Sequence, residues 1–433
     1  MALIKFSFQA HSIIFQGLGM KKISVLFTIL VILFVLVGCT SVTTQVTETA
    51  ESIPDERVET IPTNETVSDE LDHTPTAIAA TPTAEPQIIE AVVWQENPQI
   101  PILNFHRFTP RLIDQETGTL MQLTKFKTII QGLYEAGYSL ISVRDYIDGK
   151  IVVPEGRKPL ILSIDDAYFA NQLALNEDGT PSDLSGVGWL YDFSQKNPDF
   201  GFQVAMFANF GDKYYGNVWR EDWWYLGEGW EDDFARMIVW GIEHNVMPYN
   251  HLWRHPDLEQ LADKDILMQA QKNDEYLRDY LQRAGRGDLI AQLNNLIALP
   301  YGKWPRYESG VNTLLSYIDP EGKALEAVFE AGYEYKPVMA RSPFDEEFDA
   351  FHIPRMAPVD RVVGFVLENA ESLPTNLRCQ LEVPAGVDLQ DEGALISAIE
   401  LALAKGECPQ GIFIVDELIF VARDGAVLPW KKN

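Results

Sequence analysis

The sequence predicts an α/β protein in which a parallel sheet is covered by helices, and three observations favour this fold class. Short apolar runs alternate with segments whose apolar residues recur at helical spacing. Several runs end abruptly at polar residues, as strands do where reactive side chains gather at the carboxyl ends of a parallel sheet. The chain has 433 residues, 46% of them hydrophobic, which is enough for one large domain or two ordinary ones.

The N-terminus predicts export and a lipid anchor. Met20 and two lysines precede an apolar run of about fifteen residues that ends in LVGC, with Cys39 as the cysteine. This ending resembles the lipobox of bacterial lipoproteins, in which the cysteine is acylated. An ordinary transmembrane anchor is the alternative, and the short run favours the lipobox. We expect residues 1–39 to be a lipoprotein signal segment that starts at Met20 and anchors the protein, outward-facing, on a bacterial cell membrane.

Residues 40–92 are predicted to be a disordered linker. They are rich in Thr, Pro, Glu and Asp and lack hydrophobic periodicity, so they cannot bury enough apolar surface to fold. The whole chain carries a formal net charge of −29, which makes nucleic acid a poor partner because binding phosphate requires basic patches. The sequence contains no P-loop and no dinucleotide-binding glycine turn, so no nucleotide is expected.

Strands and helices alternate in residues 93–360. Apolar runs give the strands, and segments with helical spacing give the helices, the first of which ends on Gly137. The predicted strands are 101–108, 138–143, 158–168, 202–210 and 296–302. The predicted helices are 123–137, 143–149, 187–197, 232–245 and 264–285, and residues 322–340 are predicted to be a further helix–strand pair. Such alternation implies a parallel sheet with helices outside it.

Residues 361–433 differ from the preceding part and are treated as a C-terminal segment or subdomain of unknown role. They contain a predicted helix, 392–406, and a predicted hairpin, 412–430, with Asp424 and Gly425 as its turn. Because the protein is expected to be exported, Cys379 and Cys408 are a possible disulfide. Two buried free thiols are the alternative, since pairing cannot be deduced from sequence.

Two pairs of side chains carry the candidate chemistry. His251 and His255 lie four residues apart in YNHLWRHPDL, and on a helical turn that offset would direct both rings to one metal ion. Asp165 and Asp166 follow an apolar strand in SIDDAY and offer one ligand and one base. Two imidazoles and one carboxylate are typical of catalytic zinc sites, where the metal lowers the pKa of water towards about 7. A turn or cap for the aspartates and a chance surface pair for the histidines are the alternatives.

These motifs resemble the polysaccharide deacetylases of carbohydrate esterase family four, which have the NodB-homology fold. LILSIDDAY resembles the family's T-F-D-D-G motif, and NHLWRHPDL resembles its N-H-[ST]-x-x-H-P-D-L stretch. LIALPYGKWP resembles the third motif, which contains P-Y-G. The resemblance covers about residues 100 to 358. It implies a distorted (β/α)7 barrel in residues 93–360 and a hydrolase that removes acetyl groups, N-acetyl groups first, from a polysaccharide.

The resemblance also implies a role for each site residue. Asp165 would be the general base, and Asp166, His251 and His255 would hold a divalent metal. Zn2+ is the first choice, although cobalt and nickel suit the same ligands. The backbone N–H of Tyr301 would help to stabilise the oxyanion.

Four features depart from the family's pattern. Ala167 replaces a glycine, Leu252 replaces a serine or threonine, and Ala298 stands where many members have an arginine that pairs with the base. No histidine follows His352 to serve as the late general acid, and the sequence offers only His352 and His106 as substitutes. Two alternatives therefore stay open beside the enzyme: a catalytically impaired carbohydrate-binding lipoprotein with this fold, and a structural lipoprotein without a glycan ligand.

Half of the ten tryptophans are concentrated in one stretch of 22 residues. Aromatic faces stack on sugar rings, so this insertion is a candidate wall of a glycan groove, and a lid with its own aromatic core is the alternative. The residues are Trp219, Trp223, Trp224, Trp230 and Trp240, accompanied by Tyr214, Tyr215 and Tyr225.

Overall fold

The computed structural model describes residues 85–113, 119–168, 171–212, 229–331 and 337–432, all within one compact unit. The predicted signal segment, its Cys39 and the linker as far as residue 84 lie outside the described residues. Among those that are described, no helix is long and apolar enough to cross a membrane.

The described chain contains sixteen strands and eight α-helices. The strands are β1 (Gln87–Trp94), β2 (Gln99–Ile100), β3 (Ile102–Phe105), β4 (Arg107–Thr109), β5 (Leu120–Gln122), β6 (Tyr138–Leu140), β7 (Lys158–Ala167), β8 (Val204–Ala208), β9 (Val246–Asn250), β10 (Leu296–Ala298), β11 (Ala327–Phe329), β12 (Ala340–Arg341), β13 (Leu377–Val383), β14 (Gly411–Val415), β15 (Leu418–Arg423) and β16 (Ala426–Pro429). The helices are α1 (Leu123–Glu135), α2 (Val143–Ile147), α3 (Gly186–Lys196), α4 (Trp230–Glu243), α5 (Asp263–Arg283), α6 (Glu308–Leu315), α7 (Asp360–Asn369) and α8 (Glu392–Lys405).

Seven parallel strands form the central sheet. Its order is β11-β10-β9-β8-β7-β3, and β6 pairs with the first residues of β7. A short segment bridges the two ends of this order, because Ile353 pairs in parallel with Phe329 of β11 and Met356 with Leu103 of β3. The sheet is thereby closed, and the predicted α/β class with a distorted (β/α)7 barrel is confirmed.

The strands of this barrel are buried on both faces, as expected where helices cover a parallel sheet. Strand β7 illustrates the pattern, since eight of its ten residues are buried. Helix α1 contributes Phe126, Ile130 and Leu133 to the same core, and the chain leaves it through Gly137 at φ 84°. The helices predicted from spacing over 123–285 are all present, with small shifts in their ends.

The helix predicted at the start of residues 322–340 is wrong. The chain turns there instead, with the Lys323 N–H donating to the Asp319 side chain at 2.7 Å and the Asp319 N–H to the Lys323 carbonyl at 2.9 Å. The stretch DPEGK has turn chemistry, with proline and then Gly322 at φ 81°, and it outweighs the helical spacing that follows. Helix α6 was not predicted.

The C-terminal region is a five-stranded antiparallel sheet in the order β13-β1-β14-β15-β16. Strand β1 lies inside it, so the linker boundary predicted at residue 92 is wrong. The last four residues of β1 are fully or almost fully buried, because the apolar stretch AVVW lies between the two neighbouring strands. Trp94 also donates its Nε1–H to the Ile151 carbonyl at 2.8 Å, which attaches this sheet to the barrel.

The C-terminal region contains the predicted helix and the predicted hairpin turn. Helix α8 covers one face of the sheet. Arg423 pairs with Ala426 across a two-residue turn, in which Asp424 and Gly425 have φ of 52° and 79°, so the predicted hairpin turn is confirmed. The structure joins Cys379 and Cys408 in a disulfide between β13 and the segment that follows α8.

Candidate metal centre

The two adjacent aspartates lie at the carboxyl end of β7. Asp166 has left-handed backbone geometry, with φ of 54°, and the pairing of β7 with β8 shifts register between Ile164 and Ala167. On a regular strand the two side chains would point to opposite faces. The irregular backbone instead turns both carboxylates towards one end of the barrel. Asp165 is almost completely buried, whereas Asp166 is half-buried.

The two histidines meet without the helical turn that the sequence predicts. They lie on a loop that follows β9, in which Leu252 has φ of 59° and His255 has φ of 47°. The His255 N–H donates to the Leu252 carbonyl at 3.3 Å, and the His251 N–H donates to the Ala208 carbonyl of β8 at 2.8 Å. A sharply folded loop, anchored to a neighbouring strand, therefore replaces the helix, and the ring centroids are 4.9 Å apart.

Helix α5 holds this loop in place. Gln269 accepts the Trp253 N–H through its backbone carbonyl and the Arg254 N–H through its side chain, at 3.0 and 2.8 Å. Asn273, which is 1% exposed, donates to the Asn250 side chain at 3.1 Å and to the end of β8 at 2.7 Å. Buried hydrogen bonds of this kind position the loop more firmly than apolar contacts alone would, because each bond forms only when donor and acceptor are correctly oriented.

The predicted ligands are brought together. One ligand atom from each of Asp166, His251 and His255 lies within 4.8 Å of the others. The Nδ1 of His251 lies 2.9 Å from the Ala298 carbonyl, which fixes that nitrogen as the donor and leaves Nε2 for a metal. Burial lowers the pKa of His251 to about 4, so the imidazole is neutral and able to coordinate. Asn209 donates to Asp166 at 2.9 Å, and the donor set fits a divalent ion.

Asp165 is held by an arginine that the sequence analysis did not include among the site residues. Arg355, which is 0% exposed, donates to the two carboxylate oxygens at 2.6 and 2.8 Å, and Asn104 donates to one of them at 3.1 Å. Burial alone would raise the pKa of Asp165, but Arg355 and His251 outweigh it and hold the pKa well below its usual range. Arg355 thus supplies to Asp165 the positive charge that an arginine at the position of Ala298 would supply.

Tyr301 lies beside the ligands at the end of β10. Its backbone is left-handed, with φ of 57°, and its ring centroid is 4.4 Å from that of His255. The following Gly302 has φ of 64°, and a Cβ there would lie 2.2 Å from the Ala331 carbonyl oxygen. A tight turn that requires glycine therefore holds Tyr301, and with it the backbone N–H predicted to stabilise an oxyanion, next to the predicted metal ligands.

The two histidines considered as substitute acids have different surroundings. Burial lowers the pKa of His106, the charges of Asp165 and Asp166 act to raise it, and its Nδ1 has no hydrogen-bond partner in the described part of the chain. His352 instead contacts Glu330, with 2.8 Å between Nδ1 and the carboxylate, and its side chain is 53% exposed. Of the two, His106 is the one whose pKa is influenced by both aspartates.

The chain is similar to solved deacetylases. Streptococcus pyogenes deacetylase PplD, in complex with acetate, shares 14% identity over 63% of this chain and 98% of its own, with a TM-score of 0.41. A polysaccharide deacetylase from Bacillus cereus shares 12% identity over 63% of this chain and 69% of its own, with a TM-score of 0.41. IcaB from Ammonifex degensii shares 14% identity over 64% of this chain and 98% of its own, with a TM-score of 0.40. No family model and no curated protein sequence matches the chain.

Only two members of the tryptophan-rich stretch lie in the described residues. Trp240 is 9% exposed and stacks on His244 with ring centroids 4.4 Å apart, so it belongs to the core. Trp230 begins α4 and lines a cavity of about 540 Å³. Residues 213–228, which contain the other tryptophans and the three tyrosines, lie outside the described ranges, and their role as a groove wall stays a prediction.

Proposed function

We propose that this protein is a metal-dependent hydrolase that removes acetyl groups, N-acetyl groups first, from a polysaccharide. The observation that carries the proposal is the end of β7, where a carboxylate grouped with two histidines and a second, arginine-paired carboxylate are adjacent. Asp166 and His255 keep side-chain exposures of 25% and 17%, which supports access for a large substrate. A buried structural metal site would need a fourth protein ligand instead.

Each residue has a defined task in this proposal. A divalent ion, Zn2+ first, held by Asp166, His251 and His255, would supply the Lewis acid that activates water and polarises the acetyl carbonyl. Asp165 takes the proton of the attacking water, and Arg355 keeps it ionised for that purpose. The Tyr301 N–H donates to the carbonyl oxygen as negative charge develops there.

We assign the general acid to His106. The departing nitrogen needs a proton, and the charges of Asp165 and Asp166 act on the His106 ring, whose Nδ1 has no partner in the described residues. Because burial lowers the pKa of His106, the ring starts neutral, and it passes to the nitrogen the proton that Asp165 took from water. A positioned acid contributes about 10²–10⁴-fold to the rate. His106→Asn should lower kcat by about that factor with the metal retained. His244→Asn, at the residue that caps the C-terminal end of α4 and lies outside the site, is the matched control, and equal rates for the two variants would contradict the assignment.

The direct test of the proposed function is acetate release from N-acetylated oligosaccharides by the purified full-length protein. Release should stop after treatment with a chelator and return when Zn2+ is added back. The double variant His251→Ala, His255→Ala should neither hold the ion nor release acetate. Full metal occupancy in that variant would refute the ligand assignment. Metal-loaded wild type that binds such oligosaccharides but releases no acetate would favour the carbohydrate-binding alternative.

Lipid anchoring is a further part of the proposal. It is supported by the basic residues after Met20 and by the LVGC ending, with Cys39 as the acylated residue and the domain outward-facing on a bacterial membrane. Cys39→Ser should release the protein from membranes or leave its signal segment uncleaved. Normal processing and retention of that variant in the membrane fraction would point to a different anchor.

A further inference from the structure

A second cluster of side chains lies beside the metal centre, where the chain leaves β10 and β11. Trp304 donates its Nε1–H to the Oε1 atom of Glu330 at 2.7 Å, and the Nδ1 of His352 lies 2.8 Å from the same oxygen. The two ring centroids are 4.8 Å apart, and the rings are tilted by 38°. One carboxylate oxygen therefore fixes both rings side by side, and we call Trp304 and His352 the ring pair.

The ring pair is linked to the catalytic residues by two short paths. The Glu330 backbone carbonyl accepts the Nε–H of Arg355 at 3.1 Å, and the same arginine holds Asp165. Trp304 also follows Tyr301 by three residues, and the Tyr301 ring lies against that of the metal ligand His255. A group that rests on the ring pair would therefore be held at a fixed position relative to the base.

The exposure of His352 argues against a purely structural role for the ring pair. Glu330 is nearly buried, with 13% of its side chain exposed, and Trp304 is half-buried against a neighbouring apolar core, yet the His352 side chain is 53% exposed. A carboxylate that orients a ring which then faces solvent gains little from core packing. Exposed aromatic rings held in a fixed geometry are typical of surfaces that bind a ligand.

A cavity lies next to the ring pair. It has a volume of about 210 Å³, and its lining includes His352 and the charged residues Arg341, Glu347 and Asp349 among mostly apolar neighbours. Aromatic faces bind the apolar C–H face of a pyranose ring, while hydroxyl groups need donors and acceptors around its edge. The ring pair and this cavity together offer both kinds of surface.

We propose that the ring pair forms a subsite for a sugar ring of the same glycan chain, beside the sugar that loses its acetyl group. This inference rests on the proposed function and makes it more specific. The substrate is an oligosaccharide or polysaccharide, and the protein gains affinity from a sugar that takes no part in the reaction. The ring pair is a binding element, so it acts on substrates long enough to reach it and leaves a single sugar unaffected.

The test compares N-acetylglucosamine oligomers from the monomer to the hexamer as substrates of the full-length protein. For wild type, kcat/KM should rise with length. Trp304→Ala should raise KM for the hexamer by about 3- to 10-fold, while kcat/KM for the monomer stays unchanged. Trp304→Phe should recover part of the loss. Trp430→Ala removes a half-buried tryptophan that lies at a different cavity, beside the C-terminal sheet, and it should keep the wild-type length dependence.

Three outcomes would overturn the inference. The length dependence could survive in Trp304→Ala, it could be lost in Trp430→Ala instead, or Trp304→Ala could lower the rates for monomer and hexamer equally, as a merely structural residue would. If Trp304→Ala does not fold, His352→Ala takes its place, because that side chain is half exposed. If wild type releases no acetate at all, the proposed hydrolysis fails, and calorimetric binding of the hexamer tests the subsite separately. Weaker binding by Trp304→Ala than by wild type would then support the subsite. Equal binding by the two proteins would overturn it.

Discussion

The barrel and the C-terminal sheet bury different kinds of side chain. The barrel domain buries several charged residues. Asp165 and Arg355 are buried at the rim of the barrel, and Asp274 and Arg278 are buried on the covering helix α5. In the C-terminal sheet, within the described elements β1, β13–β16 and α8, every buried residue is a glycine, an apolar residue or Cys379, and the one buried amide that the structure describes beside these elements is Asn376, just before β13. The two regions therefore depend on different forces for their stability.

This difference predicts how each region responds to substitution. A buried charge pair contributes little net stability, but removal of one partner leaves the other charge buried and uncompensated. An apolar core contributes in proportion to the area that it removes from water, and it has no preferred protonation state. Changes in the barrel should thus alter activity and pH dependence together with stability, whereas changes in the sheet should alter stability alone.

The largest effect is expected from Arg355→Met. The substitution leaves the Asp165 carboxylate buried beside the metal site without its bidentate partner. The free energy of unfolding should fall by about 3–5 kcal/mol, and acetate release should be lost because Asp165 no longer stays ionised. Urea denaturation and acetate release measure the two effects.

A second substitution serves as the control for Arg355→Met. Adding Asp165→Leu removes the carboxylate as well, so no charge is left buried without a partner. The double variant should regain much of the lost stability and stay inactive. If the double variant is as unstable as Arg355→Met alone, the packing of the arginine, and not its charge, accounts for the loss.

A smaller effect is expected from the disulfide of the C-terminal sheet. Replacing both Cys379 and Cys408 by alanine removes a cross-link that closes a loop of 29 residues. The unfolded chain gains freedom, and the free energy of unfolding should fall by about 2–4 kcal/mol. Below the new melting range, kcat should equal that of wild type. A change in kcat or in bound metal would show that the two regions are coupled.

The smallest effect concerns pH and belongs to the barrel. Burial raises the pKa of Asp274 from 3.8 to about 6, so the folded state binds its proton more tightly than the unfolded state does. The resulting stability is complete below about pH 4 and is lost as the pH rises through about 6, by about 1–3 kcal/mol.

The Asp274→Asn variant isolates this contribution. His251, with a pKa lowered to about 4, acts in the opposite sense over the same range, so the difference between wild type and variant is the informative quantity. Relative to the variant, wild type should lose stability between pH 4 and pH 6. Parallel curves of unfolding free energy against pH for the two proteins would show that Asp274 carries no raised pKa.

The sequence predicted which side chains meet at the rim of the barrel better than it predicted the backbone there. Asp165, Asp166, His251 and His255 could be found because each pair belongs to a motif at the end of an apolar run. The left-handed geometry at Asp166, Leu252 and His255 could not, because none of them is a glycine, the residue type that usually marks such positions. The predicted helical turn failed for that reason, although the ligands that it was meant to align do meet.

The features that could not be predicted from the sequence depend mostly on contacts between residues far apart in the chain. Arg355 is separated from Asp165 by 190 residues, and the segment around it is too short and irregular to show a strand period. A single arginine inside the apolar stretch FHIPRMAP was the one available indication. Strand β1 was assigned to the linker because its partners β13 and β14 lie about three hundred residues further along the chain.

The proposed mechanism depends most on the different roles of two adjacent aspartates, Asp165 as the base and Asp166 as a metal ligand. The measurement that tests it is the metal content and acetate release of Asp165→Asn and Asp166→Asn, with circular dichroism to verify that both variants are folded. We expect Asp165→Asn to keep about one ion per chain and to lose acetate release, and Asp166→Asn to lose the ion as well. The account would be contradicted if Asp165→Asn released acetate at the wild-type rate, or if Asp166→Asn kept its ion.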